Sequence, residues 1–242
     1  MGAAFGWGLF AASSLLIGGL LVLRVHVGDR LLGLIMAFGA GVLISAVAYE
    51  LVEEAFSTSK GGGVAGGLAA GALVFFAGDT IIDRMGGEGR KSMAGGHETG
   101  TALAIVLGIV LDGIPESAVI GLTILQGGTV SVAMLVAVFL SNLPEAIAAT
   151  TGLRLSGWRT RDILGLWLVV MLVSALASLA GYGLFDSASP EAVAFVLSFA
   201  AGAILTMLAD TMMPEAFARG GNLAGLATTL GFGLAFAISA LE

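Results

Sequence analysis

Cysteine is absent from this chain, and charged residues fill only 11% of its 242 positions. Without a thiol there is no disulfide framework, no thiolate metal site and no thiol redox chemistry. Histidine occurs twice, proline four times and tryptophan three times. No Pro-rich or charged linker divides the chain, so residues 1–242 read as one domain. Against these shortages stand 57% hydrophobic residues, 38 glycines and a mean hydropathy of +1.02. That excludes a soluble domain and implies an integral membrane protein whose surroundings are the lipid bilayer. The net charge of −7 says little about partners, because many of the acids lie in or beside apolar runs. No nucleic-acid partner, resident cofactor or enzymatic activity is expected.

Apolar runs of about 20 residues, the length that crosses a bilayer core, recur near 5–23, 31–56, 63–83, 100–125, 129–153, 162–184, 190–214 and 222–241. The first lacks the basic flank of a cleavable signal and runs too long before Arg24. Basic residues then set the orientation, since Lys and Arg collect in cytoplasmic loops. Arg24 and Arg30 fall between runs 1 and 2, Arg84, Arg90 and Lys91 between 3 and 4, Arg154, Arg159 and Arg161 between 5 and 6, and Arg219 between 7 and 8. Only Lys60 falls on the other side. The bias predicts a multi-pass protein of the plasma or inner membrane with both termini extracellular or periplasmic.

Residues 38–56 align without gaps on residues 199–217, matching at seven of nineteen positions and sharing a Glu-Ala-Phe ending. Run 2 thus repeats as run 7, and by the predicted topology the two cross in opposite directions. The expected fold is therefore all-α, with eight transmembrane helices in a 3+2+3 arrangement. Segments 1–3 and 6–8 form an inverted repeat around segments 4 and 5, a plan that suits a transporter with a site near the midplane. Glu50, Glu53 and Glu54 then lie toward the outer end of segment 2, and Asp210 and Glu215 toward the inner end of segment 7, as candidate entrance and exit acids. Asp79 and Asp83 read as interfacial. The Gly63, Gly67, Gly71 ladder reads as close helix packing and leaves a homodimer open.

The chemistry concentrates in Leu111-Asp112-Gly113-Ile114-Pro115-Glu116-Ser117 and Ser141-Asn142-Leu143-Pro144-Glu145-Ala146. An ionisable side chain at mid-membrane costs at least about 2.5–3.5 kcal/mol on insertion scales and marks a functional site by default. Asp112 and Glu116 are four apart and share a helical face. Glu145 holds the matching place in segment 5, with Ser141 and Asn142 one turn before it. Pro115 and Pro144 lack the amide donor, so carbonyls near Leu111 and Leu140 are freed. Carboxylates, an amide, a hydroxyl and bare carbonyls form an oxygen-rich set suited to hard or borderline divalent cations.

These motifs resemble those of the ZIP (Zrt/Irt-like) family of metal transporters, whose fourth and fifth helices carry His-Asn-x-Pro-Glu-Gly sequences. The resemblance extends to the topology and to Phe38-x-Ala40-Gly41 leading to Glu54-Ala55. It implies transport of a divalent transition metal, zinc first, with Glu116, Glu145 and Asn142 at the family's metal-binding positions. Asp112 stands where that family has a helix-4 histidine, Gly113 replaces its asparagine and Ser141 a helix-5 histidine. Segment 6 has no mid-membrane acid, so a binuclear site is not implied. The oxygen-only set of Asp112, Glu116, Ser141, Asn142 and Glu145 would accept Mn²⁺ or Fe²⁺ at least as well as Zn²⁺.

Two other functional classes match parts of the sequence. Ala77-Gly78-Asp79 faintly resembles an intramembrane aspartyl protease motif, but the first glycine and a partner Tyr-Asp are missing. A proton-linked transporter of a small organic cation would use the same acids and would show an aromatic-lined pocket. Trp7, Trp158 and Trp167 are remote from the Pro-Glu motifs in sequence. His26 reads as a headgroup-level residue. His97, beside Glu98 in the Gly-rich stretch 84–99, reads as part of a flexible cytoplasmic loop.

Overall fold

Apolar runs that must satisfy every backbone polar group without water have one economical solution, the helix. A computed structural model describes residues 1–25, 27–59, 61–87 and 102–241, and the described chain is helical with no strand. The helices are α1 (Gly2–Arg24), α2 (Asp29–Thr58), α3 (Gly63–Met85), α4 (Ala102–Gly127), α5 (Val132–Leu155), α6 (Thr160–Leu184), α7 (Pro190–Gly220) and α8 (Leu223–Ser239). Among the described residues seven are long and apolar enough to cross a membrane, and α8, at 17 residues, is just shorter. The expectations for His26, Lys60, His97, Glu98 and the stretch 88–101 lie outside the described residues.

Two helices depart from α geometry in their middles. A π-helical turn covers Val47–Glu53 in α2 and another Leu208–Met212 in α7. Val47 and Leu208 are matched residues in the alignment of 38–56 on 199–217, so both copies widen at the same register. In α7 this turn stands just before Pro214, which sits in the first turn of Met213–Gly220. Met212 and Met213 keep helical backbone angles, and the wider π turn before Pro214 lets the helix run on past a residue that has no N–H to give. The helix consequently continues to Gly220, six residues beyond the expected end at 214.

The helices pack as two groups. α1 lies on α5 and α6, and α4 lies on α6; α3 lies on α7, while α2 lies on α8 and α7. The groups meet chiefly along α2 and α5. Glycine lets the backbones touch. A Cβ on Gly41 of α2 would collide with the Thr228 carbonyl of α8, and one on Gly202 of α7 with the Leu68 carbonyl of α3. The reverse contacts match too: Gly231 of α8 abuts the Phe38 carbonyl, and Gly71 of α3 the Phe199 carbonyl. Gly41 and Gly202 are aligned residues, as are Phe38 and Phe199. Gly67 and Gly71 of the ladder are therefore occupied by α7 of the same chain, whereas Gly63 faces open space.

Helix directions follow from the contacts. Gly33, early in α2, lies against Arg219 and Gly220 at the end of α7, and Gly39 lies near Met212, so α2 and α7 are antiparallel. Tyr49 stacks near Phe232 and Phe236, and Ser239 reaches Glu50, so α2 and α8 are parallel. At one end of the bundle Arg24 and Arg154 line a common cavity and Arg219 pairs with Asp29 at 3.5 Å. At the other end lie Glu50, Glu53 and Glu54. Leu73, Phe76, Leu172, Leu176, Leu230 and Leu234 point outward from α3, α6 and α8. An apolar surface of this extent belongs against lipid.

Candidate functional site

The two Pro-Glu motifs fall on α4 and α5, as their spacing predicts, and their polar side chains turn inward. Relative exposure is 2% for Asp112, 1% for Glu116, 0% for Ser141, 5% for Asn142 and 7% for Glu145. Three carboxylates are thus withdrawn into the interior of an apolar bundle, where charge is costly. Ile114, between the two acids of α4, points outward at 44%, which fixes the face to which Asp112 and Glu116 belong. Ser117, also buried, extends this face by one residue.

Proline shapes the backbone here. Pro115 and Pro144 both lie inside their helices. The residue four before Pro144 is Leu140, whose carbonyl is turned toward α2: a Cβ on Gly39 would stand 3.2 Å from its oxygen and 3.3 Å from Ser141 Cα. The Ser141 hydroxyl donates to Val138 O at 3.1 Å, so its oxygen lone pairs, not its proton, are what it can offer a cation. Gly113 leaves space beside Ser174 of α6, whose Oγ is 3.8 Å from the position of an added Cβ. Among the described residues no three His, Cys, Asp or Glu side chains are grouped tightly enough to hold one ion between them. A cation at the Pro-Glu motifs would therefore need Asn142, Ser141 or backbone oxygens as well, or a small approach of α4 and α5.

The α2 acids line a second feature. A cavity of about 760 Å³ is bordered by Tyr49, Glu50, Glu54, Thr123, Gln126 and Ser131, and a neighbouring one of about 500 Å³ by Tyr49, Glu53, Glu54 and Phe236. Glu50 accepts from the Ser239 hydroxyl at 2.7 Å. Glu54 Oε1 accepts from Gln126 Nε2 at 3.3 Å, tying the end of α2 to the end of α4. Glu53 is exposed. The α2 acids are thus gathered on a water-accessible vestibule. Sequence reasoning missed Gln126 and Ser131 here, since a single amide or hydroxyl at a helix end carries no distinctive pattern.

The α7 acids are dispersed. Asp210 is exposed on the π turn of α7. Glu215 is ion-paired at 2.5 Å with Arg219 one turn later, both side chains being mostly buried. Asp79, near the end of α3, is buried within the bundle, in line with Gly67, Gly71 and Phe75.

Comparison with known proteins adds one relative. Over 197 residues, 80% of its length, the chain is 26% identical to the Arabidopsis thaliana protein named "Putative zinc transporter At3g08650". The matched region is 31% of that protein, so the chain spans about a third of its relative. No family model matches the chain. Helical architecture, apolar spans and this relative together make the chain an α-helical, multi-pass membrane protein similar to a transporter.

Proposed function

We propose that this protein carries divalent transition-metal cations across the membrane, zinc first among them, through the carboxylate site on α4 and α5. The observation that carries the reading is the burial of Asp112, Glu116 and Glu145 on two helices that are each interrupted by proline. An apolar interior tolerates such a cluster at a cost that only a charged cargo or a proton explains well. The relative named for zinc transport agrees with it, as does the resemblance to the ZIP family. Eight membrane crossings with both termini outside and α1–α3 inverted against α6–α8 complete the proposal. It is supported by the antiparallel α2 and α7, the π turns at matched residues and the matched glycine contacts.

In this reading metal collects at Glu50, Glu53 and Glu54, sheds water onto Asp112, Glu116, Asn142, Glu145 and neighbouring carbonyls, and leaves as one helix group moves against the other. Glu215, held by Arg219, is released for cargo only when that pair opens, and Asp210 stands ready at the same end. Protons and metal compete for the same carboxylate oxygens, so in this reading metal binding at the site is coupled to proton release. The test is uptake of Zn²⁺, Mn²⁺, Fe²⁺ and Cd²⁺ into proteoliposomes, with Glu116→Ala and Glu145→Ala as controls. Unchanged uptake in folded variants refutes the site.

One observation favours the organic-cation alternative. The 500 Å³ cavity combines Tyr49 and Phe236 with Glu53 and Glu54, the aromatic-plus-acid chemistry that holds an ammonium group. Under that reading a tetraalkylammonium ion, and not zinc, raises the melting temperature of the detergent-solubilised protein.

A further inference from the structure

At the basic end of the bundle a cavity of about 450 Å³ lies between the last turns of α1 and α5, lined by Val22, Leu23, Arg24, Thr151, Arg154 and Leu155. Three of the described arginines have a carboxylate beside them. Arg159 and Arg161 share Asp162 at 2.8 and 3.4 Å, and Arg219 holds Glu215 and Asp29. Arg24 and Arg154 have no carboxylate partner among the described residues, yet they meet in one cavity. Both are exposed, and an anion seated in the cavity would meet two guanidinium groups at once. The Thr151 hydroxyl donates to Ile147 O at 2.8 Å, so the guanidinium groups are the cavity's anion donors.

From this cavity we infer a binding site for the phosphate headgroup of an anionic lipid. The apolar part of the lining decides between a lipid and a free phosphate. Val22, Leu23 and Leu155 wall the cavity, and Leu155 is 70% exposed beside it. A free phosphate gains nothing from that surface, whereas acyl chains and a glycerol backbone cover it. Basic pockets between helix ends at headgroup depth are where such lipids bind. The lipid bridges α1 and α5, both of the group that carries the Pro-Glu motifs.

Thermal unfolding of the full chain tests this in phosphatidylcholine nanodiscs with and without phosphatidylglycerol. Phosphatidylglycerol is expected to raise the melting temperature of the wild type and of Arg159→Gln/Arg161→Gln. The shift is lost in Arg24→Gln/Arg154→Gln, and each single substitution weakens the apparent lipid affinity roughly fivefold, the worth of one basic residue near a headgroup. Should the double variant not fold, the two single variants carry the test, and native mass spectrometry of the wild type should retain phosphatidylglycerol over phosphatidylcholine. Equal stabilisation by both lipids, or no loss on removing either arginine, overturns the site. An equal shift from soluble glycerol phosphate in phosphatidylcholine nanodiscs overturns the lipid in favour of a free phosphate ligand.

Discussion

Gly39 of α2 lies so close to the Leu140 carbonyl of α5 that an added Cβ would stand 3.2 Å from its oxygen. Leu140 is the residue whose i+4 partner is Pro144, so this carbonyl lacks the amide that an unbroken helix would supply. The two helix groups therefore meet at a carbonyl left available beside the carboxylate site. Pro144→Ala restores the amide. It should leave folding intact or stabilise it, by up to about the 3 kcal/mol that an interior proline costs, while slowing metal uptake because the carbonyl is drawn back into the helix. Thermal unfolding and proteoliposome uptake measured on the same preparation check both halves.

The buried acids have a separable signature. Glu116→Gln and Glu145→Gln keep size and remove charge, so the penalty for burying a carboxylate disappears along with its affinity for metal. Each variant should melt no lower than the wild type. Zinc uptake should fall by more than the roughly 10–100-fold that loss of a supporting ligand partner costs. Asp112→Asn should behave in the same way. A stable variant that still transports at the wild-type rate removes its residue from the site.

Glu50 and Glu54 border an open cavity, and under the proposed function they act before the metal reaches the interior. Charge around a cleft raises the local cation concentration and the on-rate by about 10- to 1,000-fold, and salt screens the effect. Glu54→Gln should therefore raise the half-saturating metal concentration and weaken its salt dependence, with maximal velocity nearly unchanged. A fall in maximal velocity alone, seen in initial-rate uptake curves, would place Glu54 in the transport step instead.

How much of this was legible beforehand depends on what physics writes into a sequence. A bilayer demands long apolar runs, so α2 was expected at 31–56 and is found at Asp29–Thr58. The inward turn of Asp112, Glu116 and Glu145 was legible because charge in such a run has nowhere else to go. The π turns at Val47–Glu53 and Leu208–Met212 were not, since hydropathy is blind to which carbonyl an amide selects. The end of run 7, placed near 214, fell short of Gly220 for the same reason. Nor was the burial of Asp79 within the bundle legible. Its burial follows from the four-residue glycine spacing that turns Gly67, Gly71 and Phe75 toward α7, a face the sequence marks without saying what covers it.

The matched glycines supply a test of the repeat that does not involve transport. Gly41 and Gly202 hold aligned positions, and a Cβ on either would strike a backbone carbonyl, of Thr228 in α8 or of Leu68 in α3. A backbone atom cannot swing aside as a side-chain end can, so the helices must separate. Overpacking of this kind costs about 1–3 kcal/mol. Gly41→Ala and Gly202→Ala should each lower the melting temperature, and by similar amounts if the two copies are related by symmetry. Gly66→Ala and Gly225→Ala add a Cβ into open space and should be neutral or stabilising by up to about 1 kcal/mol, because alanine loses less entropy than glycine in a helix. A large loss at Gly41 with none at Gly202 would mean that the α2–α8 and α7–α3 contacts are alike in sequence but not in the energy they carry, and the inverted repeat would lose its best structural support.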